Sequence, residues 1–525
     1  MATASMGPGQ VVYPDGRLDL VDDRTIQGSP LYNPDLAPVP VARRTWTTYN
    51  YLALWVGMAH NIASYLLASG LIALGMNWIQ AIITIALGNI IVLVPMLLNS
   101  HAGTKYGIPF PVFARAAYGT YGANFPALLR ALIACGWFGI QTWIGGQIVY
   151  TSIGALAGGG WLHSAAIGGQ PWTLWVSFFV FWLFNILIIA RGMDTLRRFE
   201  NWAAPAVLVV ALVLLAWILV QAKGFGPIVS QPSKLGWGPN FWHLFFPSLM
   251  GIIAFWSTMS LNMPDFTRFG QSQRAQLVGQ IAGLPTTMTV FSVLAVLITS
   301  GTAVVFGKPI WDPVALVGAF HNPLAIVIAL FTLAVATLSA NVAANVVSPS
   351  NDFSNALPKL INFRTGGLIT GIIGILLQPW RLLGDPHVYV FAWLGFYGGA
   401  LGAIAGVLIA DYWIVRRTRL NVADLYRAAG IYRYTGGWNW RAVVATLVGI
   451  VLAAGGAYSA PAGSGPFPVN GLIPILKPLY DYSWVVGFVA ALVVYAALAL
   501  ALPASRGSTD PADREVEAPT AALAK

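Results

Sequence analysis

Long apolar runs separated by short polar segments occupy the chain from about residue 48 to residue 502. A helix needs about 20 mainly apolar residues to cross a bilayer, and most of these runs reach that length. The predicted spans, in chain order, are about Thr48–Leu74, Trp78–Leu98, Ala123–Leu156, Trp172–Ala190, Trp202–Val220, Phe245–Met263, Gln280–Val305, Leu324–Val347, Gly367–Trp380, Tyr389–Trp413, Val443–Tyr458 and Ser483–Leu502. The pattern predicts an all-α polytopic membrane protein with about twelve transmembrane helices.

Two of the predicted spans carry polar residues beside glycine or proline. The first contains Gly57–Asn61, in which an imidazole and an amide follow the glycine, and the sixth contains Asn262 and ends at Pro264. Interrupted helices of this kind are typical of transporters built as an inverted repeat. Because the two lie five spans apart, we predict that spans one to five and six to ten form halves of opposite topology, with the binding site between the interrupted helices. An intact first helix with buried polar contacts is the alternative.

The distribution of charge sets the expected orientation. Only 9% of the residues are charged, and the net charge is +10. The basic residues cluster in alternate loops, which is the positive-inside signature and argues against nucleic-acid binding. We expect a multi-pass protein of the cell's inner (plasma) membrane with both termini in the cytoplasm. The single cysteine, Cys135, excludes an intrachain disulfide. The segment Phe110–Tyr121 is expected to form a short interfacial helix.

This topology divides the chain into four segments. Residues 1–45, polar and rich in proline, are expected to be a mostly flexible cytoplasmic tail, and residues 46–413 a ten-helix inverted-repeat transport core. Residues 414–503 hold a basic cytoplasmic loop and two additional helices. Residues 504–525 are a polar cytoplasmic tail.

The third predicted span holds side chains suited to a flat solute. Trp137 and Gln141 are four residues apart and share one face of a helix. The indole is a flat apolar plate, and the amide offers donors and acceptors that are costly to leave unpaired in lipid. A planar, amide-bearing molecule would suit the pair, and ordinary helix packing is the alternative. Arg130, near the cytoplasmic end of the span, is expected to snorkel toward water.

Residue types and motifs that are absent from the predicted spans disfavour several classes of membrane protein. No Asp or Glu stands in the middle of a predicted span, so His60 is the mid-depth group that titrates near neutral pH. The sequence has no Walker sequence, no HExxH and no Cys/His cluster, which disfavours an ATP-driven pump and an intramembrane enzyme. A secondary transporter of a neutral, polar, flat solute remains, and no cofactor is expected.

Six blocks of the sequence resemble the nucleobase–cation symporter family, and the similarity covers about residues 33–500. The blocks are Gly57–Asn61, Asn99–Tyr118, Trp137–Trp143, Leu261–Phe269, Asn341–Pro349 and Asp411–Arg417. The resemblance implies a LeuT-like bundle of two five-helix inverted repeats plus two extra helices. It also implies alternating access and cation-driven uptake of nucleobases or hydantoins. Within the family, the blocks are most similar to those of allantoin and hydantoin transporters.

The resemblance also implies roles for residues of the solute site. Trp137 would stack on one face of the solute ring and Trp256 on the other. Gln141 and Asn345 would hydrogen-bond its edge, and Asn61 would lie near it. Two indole planes and several amides match a planar ureide, whose N–H and C=O groups alternate around the ring.

The cation site implied by the resemblance is less complete. Its positions are the carbonyls of Gly57 and His60 in span one and residues Ala336, Ser339 and Ala340 in span eight. Ala340 stands where a threonine hydroxyl would bind sodium, and the loss of an oxygen ligand weakens a site for a hard cation. Na+ coupling through a weakened site and H+ coupling through His60 both stay open.

The leading hypothesis is a secondary active importer of allantoin or a related hydantoin or ureide, driven by cation symport. A permease for uracil, cytosine or another nucleobase is the alternative, since the same side chains suit any flat lactam. A membrane sensor without transport is an alternative of a different class. The expected partners are a small solute and the lipid bilayer, and the oligomeric state stays open. In the tenth span, Trp393, Leu394, Phe396 and Tyr397 form either an outer gate or ordinary packing.

Overall fold

The computed structural model describes residues 10–20, 22, 24–191, 193–320, 322–460, 463 and 465–502, without the side chains of residues 25 and 193–206. The long helices are α1 (Thr48–Ala59), α2 (Ile62–Ala73), α3 (Trp78–Tyr106), α4 (Phe110–Tyr118), α5 (Asn124–Ala157), α6 (Trp172–Arg191), α7 (Met193–Gln221), α8 (Pro239–Phe255), α9 (Ser257–Asn262), α10 (Gln273–Phe306), α11 (Pro323–Asn345), α12 (Val347–Ala356), α13 (Phe363–Leu376), α14 (Gly395–Ile409), α15 (Trp440–Ala454) and α16 (Ser483–Ala501). π-Helical segments, Val388–Leu394 and Ala410–Val415, flank α14.

Shorter elements connect the long helices. Two antiparallel strand pairs are β1 (Gln10–Val12) with β2 (Leu18–Leu20), and β3 (Ala166–Ile167) with β4 (Gln170–Pro171). The short helical turns are Arg24–Gln27, Pro34–Leu36, Val41–Arg43, Gly159–Leu162, Phe225–Val229, Pro264–Thr267, Pro313–Gly318, Pro379–Leu382, Val422–Leu425, Ile431–Arg433, Pro474–Leu476 and Lys477–Tyr480.

The helices account for all twelve predicted spans. Among the described residues, seven helical stretches are long and apolar enough to cross a membrane, and α1 with α2 makes an eighth, bent by 59°. The other four predicted spans fall on α7, on α8 with α9, on α13 and on α15. The predicted class, an all-α polytopic membrane protein, is confirmed.

Both predicted interruptions occur. α1 ends at Ala59 and α2 begins at Ile62, where the side chain of Asn61 accepts a hydrogen bond from Ser64 N (3.0 Å) and starts the new helix. In the sixth span, Trp256 (φ −99°, ψ 4°) separates α8 from α9. The breaks therefore place polar backbone and side-chain groups in the middle of two spans.

The helices pack in two groups. The group that we call the bundle contains α1, α2, α3, α8, α9 and α10, and the group that we call the scaffold contains α5, α6, α11, α12 and α13. Each group takes the same spans from both halves of the chain: spans one, two, six and seven form the bundle, and spans three, four, eight and nine form the scaffold. This arrangement confirms the predicted five-plus-five repeat. The two additional helices, α15 and α16, pack against α14.

Some helices differ from the predicted spans. α3 continues past Pro95 to Tyr106, and Gly107, which has a left-handed conformation (φ 71°), ends it. α10 begins at Gln273, where the side chain of Ser272 caps it. The helix predicted from Phe110 onward is present as α4, and all of its residues are buried within the protein.

The N-terminal segment, predicted as a flexible tail, packs across the helix ends predicted to be cytoplasmic. Asn33 Nδ2 donates to the carbonyls of Pro358 (2.8 Å) and Ile361 (3.1 Å). The buried Arg115 of α4 donates to Leu31 O (3.2 Å). The prediction of flexibility is therefore wrong for the described part of this segment, because its polar groups bond to distant loops. The predicted C-terminal tail lies outside the described residues.

Candidate functional site

Trp137, on α5 of the scaffold, lies at the contact with the sixth span. Its buried indole packs edge-to-face on Phe255, with ring centroids 5.1 Å apart and planes at 80°. Its Nε1 donates to Tyr397 Oη (3.1 Å), and that hydroxyl donates to Ala254 O (2.9 Å) near the end of α8. Trp137 is thus tied through α14 to the break in the sixth span.

Trp256 occupies that break. Its ring packs edge-to-face on Phe255 (4.9 Å, 87°) and on Trp55 of α1 (5.2 Å, 86°). Its Nε1 is buried without a hydrogen-bond partner. Because Trp137 and Trp256 both contact Phe255, the structure brings the two predicted indoles into one aromatic cluster at the boundary of bundle and scaffold.

Unpaired polar atoms lie near this aromatic cluster. Gln141 is one turn after Trp137 on α5, and its buried Oε1 has no hydrogen-bond partner. Both ring nitrogens of His60, at the end of α1, are buried without partners as well. An unpaired buried polar group costs about 1–3 kcal/mol. A solute with both N–H and C=O groups would remove part of this cost, because Trp256 Nε1 is a donor and Gln141 Oε1 an acceptor.

Asn345 ends α11 and belongs to a network of amides. Its Nδ2 donates to Asn341 Oδ1 (3.0 Å). Asn341 Nδ2 in turn reaches Asn185 Oδ1 on α6 (3.1 Å) and Thr142 Oγ1 on α5 (3.2 Å). The network holds Asn345 against the helix that carries Trp137. Asn341 was not among the predicted site residues, although its four-residue spacing from Asn345 was visible in the sequence.

Asn61 has a structural role in this conformation. Its Oδ1 accepts from Ser64 N (3.0 Å), and its Nδ2 donates to Met58 O (2.5 Å). Both ends of the amide therefore bridge the break in span one. A contact between Asn61 and a solute, as the sequence predicts, would have to replace one of these bonds.

The break in span one also frees backbone oxygens at the predicted cation positions. Asn61 N bonds to Ala59 O (3.1 Å), and Ser64 N bonds to the side chain of Asn61. In a regular helix these two N–H groups would bond to the carbonyls of Gly57 and His60. Both carbonyls lose those partners and become available to a cation.

The remaining predicted cation positions lie on α11, which contacts α1. Ala336, Ser339 and Ala340 are all buried, and only Ser339 offers a side-chain oxygen. Two freed carbonyls and one hydroxyl are few ligands for a hard cation, which prefers several oxygens. The residues present fit a cation only if water or solute supplies further ligands. In the described part of the chain, three or more His, Cys, Asp and Glu side chains do not come together as a metal site.

The tenth span closes the site on the side predicted to be outside. Tyr389, before α14, donates to Ala63 O in α2 (3.2 Å). Next to it, Val390 packs so closely on Gly251 of α8 that a Cβ there would lie 2.9 Å from Val390 Cγ1. The predicted solute residues are all 7% exposed or less, so the conformation is occluded. Trp393 also packs on Trp137, with ring centroids 6.4 Å apart.

Two helix groups, each built from the same spans of both halves and joined along two interrupted spans, are the architecture of a membrane permease. The family described as a permease for cytosine/purines, uracil, thiamine and allantoin matches residues 38–487, and the chain belongs to this family of nucleobase–cation symporters.

Relatives of known name cover most of the chain. It is 42% identical over 480 residues to the allantoin permease of Bacillus subtilis, which covers 90% of this chain and 94% of that protein. It is 41% identical over 424 residues to the purine-uracil permease NCS1 of Arabidopsis thaliana, and this match covers 80% of this chain and 70% of that protein. Among solved structures, it is similar to MHP1, a nucleobase-cation-symport-1 family transporter in a closed conformation with bromovinylhydantoin bound. The TM-score is 0.71 at 26% sequence identity, and the match covers 93% of this chain and 99% of the MHP1 chain.

Proposed function

We propose that this permease imports allantoin, or a closely related planar ureide or hydantoin, together with a cation. It would do so across the plasma membrane, with both termini in the cytoplasm. The observation that carries the proposal is the buried, unpaired donor of Trp256 and acceptor of Gln141 beside one aromatic cluster. A planar ureide offers N–H groups at its edge, so it can pair with Gln141 Oε1 while the indoles cover its faces.

In this proposal, different side chains contact different parts of the solute ring. Trp137 and Trp256 bind the faces of the ring, and Gln141 binds its edge. Asn345 binds a second edge position, held in place by its bond to Asn341. Asn61 shapes the wall at the break in span one. The identity to an allantoin permease and the likeness to a transporter with a hydantoin bound support the same class of solute.

A nucleobase such as uracil is the second candidate solute. The relationship to a purine-uracil permease at 41% identity favours it, and uracil presents the same lactam edge. Uptake of radiolabelled allantoin into cells that express the protein, with unlabelled allantoin, hydantoin, uracil and cytosine as competitors, tests the choice. We expect allantoin and hydantoin to compete strongly. Competition by uracil or cytosine alone would contradict the ureide proposal.

For the coupling ion, the missing hydroxyl at Ala340 favours H+ over Na+. His60 is the titratable side chain at the break in span one, and it would take up a proton only when that break opens to water. We expect uptake to persist without sodium and to fall at high pH. Uptake that depends on sodium would instead indicate that Ser339, the carbonyls of Gly57 and His60, and water suffice.

The variant His60→Gln tests the proton route directly. It keeps a polar side chain but cannot carry a proton at neutral pH. We expect the pH dependence of uptake to disappear. His243→Gln is the matched control, because His243 lies exposed near the start of α8, away from the break. Unchanged uptake and unchanged pH dependence in His60→Gln would reject the role of His60.

A further inference from the structure

Arg130 lies on α5 of the scaffold, seven residues before Trp137. Two helical turns separate them, so they share a face about 10 Å apart along the axis. Arg130 does not snorkel as predicted. Its Nη1 pairs with Asp352 Oδ2 of α12 at 3.3 Å, and both side chains are completely buried. The ion pair joins two elements of the scaffold and keeps the guanidinium at this depth.

A second carboxylate approaches this ion pair from the bundle. Asp265 follows α9, and its Oδ1 accepts a hydrogen bond from Phe110 N (2.8 Å), while its Oδ2 is buried without a partner. The charge of Arg130 acts on Asp265, and the charge of Asp265 acts on Asp352. Asn262, three residues before Asp265, donates to Ser348 Oγ of α12, four residues before Asp352, so the two carboxylates approach Arg130 from different helix groups. Arg268 is the other cation near Asp265, and it lies on the bundle side of the boundary, as Asp265 does.

The pairing in this cluster is incomplete on both sides of the boundary. On the scaffold, Arg130 Nε and Nη2 and Asp352 Oδ1 have no partners. On the bundle, Oδ1 of Asn262 is unpaired in addition to Asp265 Oδ2. Buried charges without full pairing are costly, and a packed structure dedicated to stability alone would pair or replace them. A set of groups that changes partners when two helix groups separate must keep such free atoms.

The cluster also lies on the inner side of every predicted solute element. Arg130 precedes Trp137 on α5, Asp352 follows Asn345 by seven residues, and Asp265 follows Trp256 by nine. Each of these steps runs toward the end predicted to be cytoplasmic. A solute leaving the aromatic cluster inward would therefore pass between Asp265 on one side and Arg130 with Asp352 on the other.

We propose that Arg130, Asp352 and Asp265 form the inner gate of this permease. The pair of Arg130 and Asp352 stays within the scaffold as the bundle moves. The attraction between Arg130 and Asp265 crosses the boundary and holds the inner path closed in the occluded conformation. Opening separates Asp265 from Arg130 and leaves both groups to water. The gate does not depend on which solute the permease carries.

Thiol labelling measures this opening without any solute. The native cysteine is first removed as Cys135→Ser, and Ala134→Cys then places a reporter on the face of α5 between Arg130 and Trp137. A membrane-impermeant thiol reagent is added to inside-out vesicles, so that it enters from the cytoplasmic side. Adding Asp265→Asn to this background removes the charge but keeps an oxygen for Phe110 N. We expect the labelling rate to rise about tenfold, the effect of losing one weak charge interaction.

Two comparisons separate a gate from a general loosening. Labelling of the same variant in right-side-out vesicles should not rise, since the outer closure is intact. Asp424→Asn is the matched control, because it breaks an ion pair with Arg427 in a loop outside the cluster, and it should label like the background. An unchanged rate in folded Asp265→Asn, or an equal rise from both sides, would overturn the gate. If Asp265→Asn does not fold, Arg130→Lys, which keeps the charge but shortens its reach, must raise the inside rate or the gate is rejected.

Discussion

At the scale of single residues, the proposed recognition depends on polar atoms that the fold buries and leaves unpaired. Gln141 Oε1 and Trp256 Nε1 are such atoms, and they lie beside rings that can cover a flat solute. A side chain of this kind stabilises the complex more than the empty protein, because the solute supplies the missing partner. Substitutions there should change affinity before they change folding.

The variant Gln141→Met tests this expectation. It keeps the length of the side chain and removes the acceptor, so we expect KM for the solute to rise about tenfold, from the loss of a bond worth about 1–3 kcal/mol. Uptake kinetics, normalised to folded protein, measure the change. Gln147→Met is the matched control, a half-buried glutamine on another face of α5, and it should leave KM unchanged. An equal rise in both variants would show that any substitution on α5 disturbs the site.

The hydroxyl of Tyr397 gives a second expectation for a single atom. It accepts from Trp137 Nε1 and donates to Ala254 O, so it holds the indole against the sixth span. Tyr397→Phe removes both bonds, and at about 1 kcal/mol each we expect the solute affinity to fall about fivefold or more. Binding measured with radiolabelled solute should show the loss. Tyr121→Phe, at an exposed tyrosine, is the comparison, and a normal affinity in Tyr397→Phe would contradict the positioning role.

At the scale of elements, sequence spacing revealed the local features and missed the distant partners. Trp137 with Gln141, and the interrupted first span, follow from patterns within five residues of each other. The partner of Trp137, Tyr397, lies 260 residues away, and the partner of Arg130, Asp352, lies 222 residues away. Helical periodicity carries no information about such pairs. For that reason Arg130 was expected to reach water, although the fold supplies a counter-charge.

The break in span one is an element whose stability can be measured. Asn61 satisfies Ser64 N and Met58 O at this point, so Asn61→Ala should lower the free energy of unfolding by about 1–2 kcal/mol, the usual effect of losing a helix cap. Thermal unfolding in detergent measures the shift. Asn61→Asp keeps the acceptor for Ser64 N and should be less destabilised than Asn61→Ala. If Asn61→Ala were as stable as the parent and only lost affinity, Asn61 would serve the solute and not the break.

At the scale of the whole molecule, the bundle and the scaffold meet along the two interrupted spans, where the predicted solute residues are all buried. The N-terminal segment before α1 and the tenth span lie outside this division. The N-terminal segment touches a scaffold loop and the loop after the tenth span. Asn33 bonds to Pro358 and Ile361, and Tyr426 Oη donates to Leu36 O (2.6 Å). This segment is polar and rich in proline and has no helical periodicity, so its packing could not be predicted from composition.

Docking of the N-terminal segment can be tested with one substitution. Asn33→Asp keeps the acceptor for Asp35 N but replaces both donors with a carboxylate that faces two carbonyls. We expect cleavage by trypsin after the exposed Arg24 to become about tenfold faster, because the segment leaves its place more often. Cleavage after the exposed Lys223, in a distant loop, should not change. Equal rates at Arg24 in both proteins would show that Asn33 does not hold the segment.

The packing of the N-terminal segment has a consequence for how the protein is made. Tyr426 and Leu36 are separated by 390 residues. The N-terminal segment is therefore synthesised long before the loop that binds Leu36 in the folded protein. Until then, the donors of Asn33 and the carbonyls of the late loops stay in water. The face that this segment covers is therefore among the last surfaces to assemble, and a chain that stops before Pro358 would lack the partners of both Asn33 and Leu36.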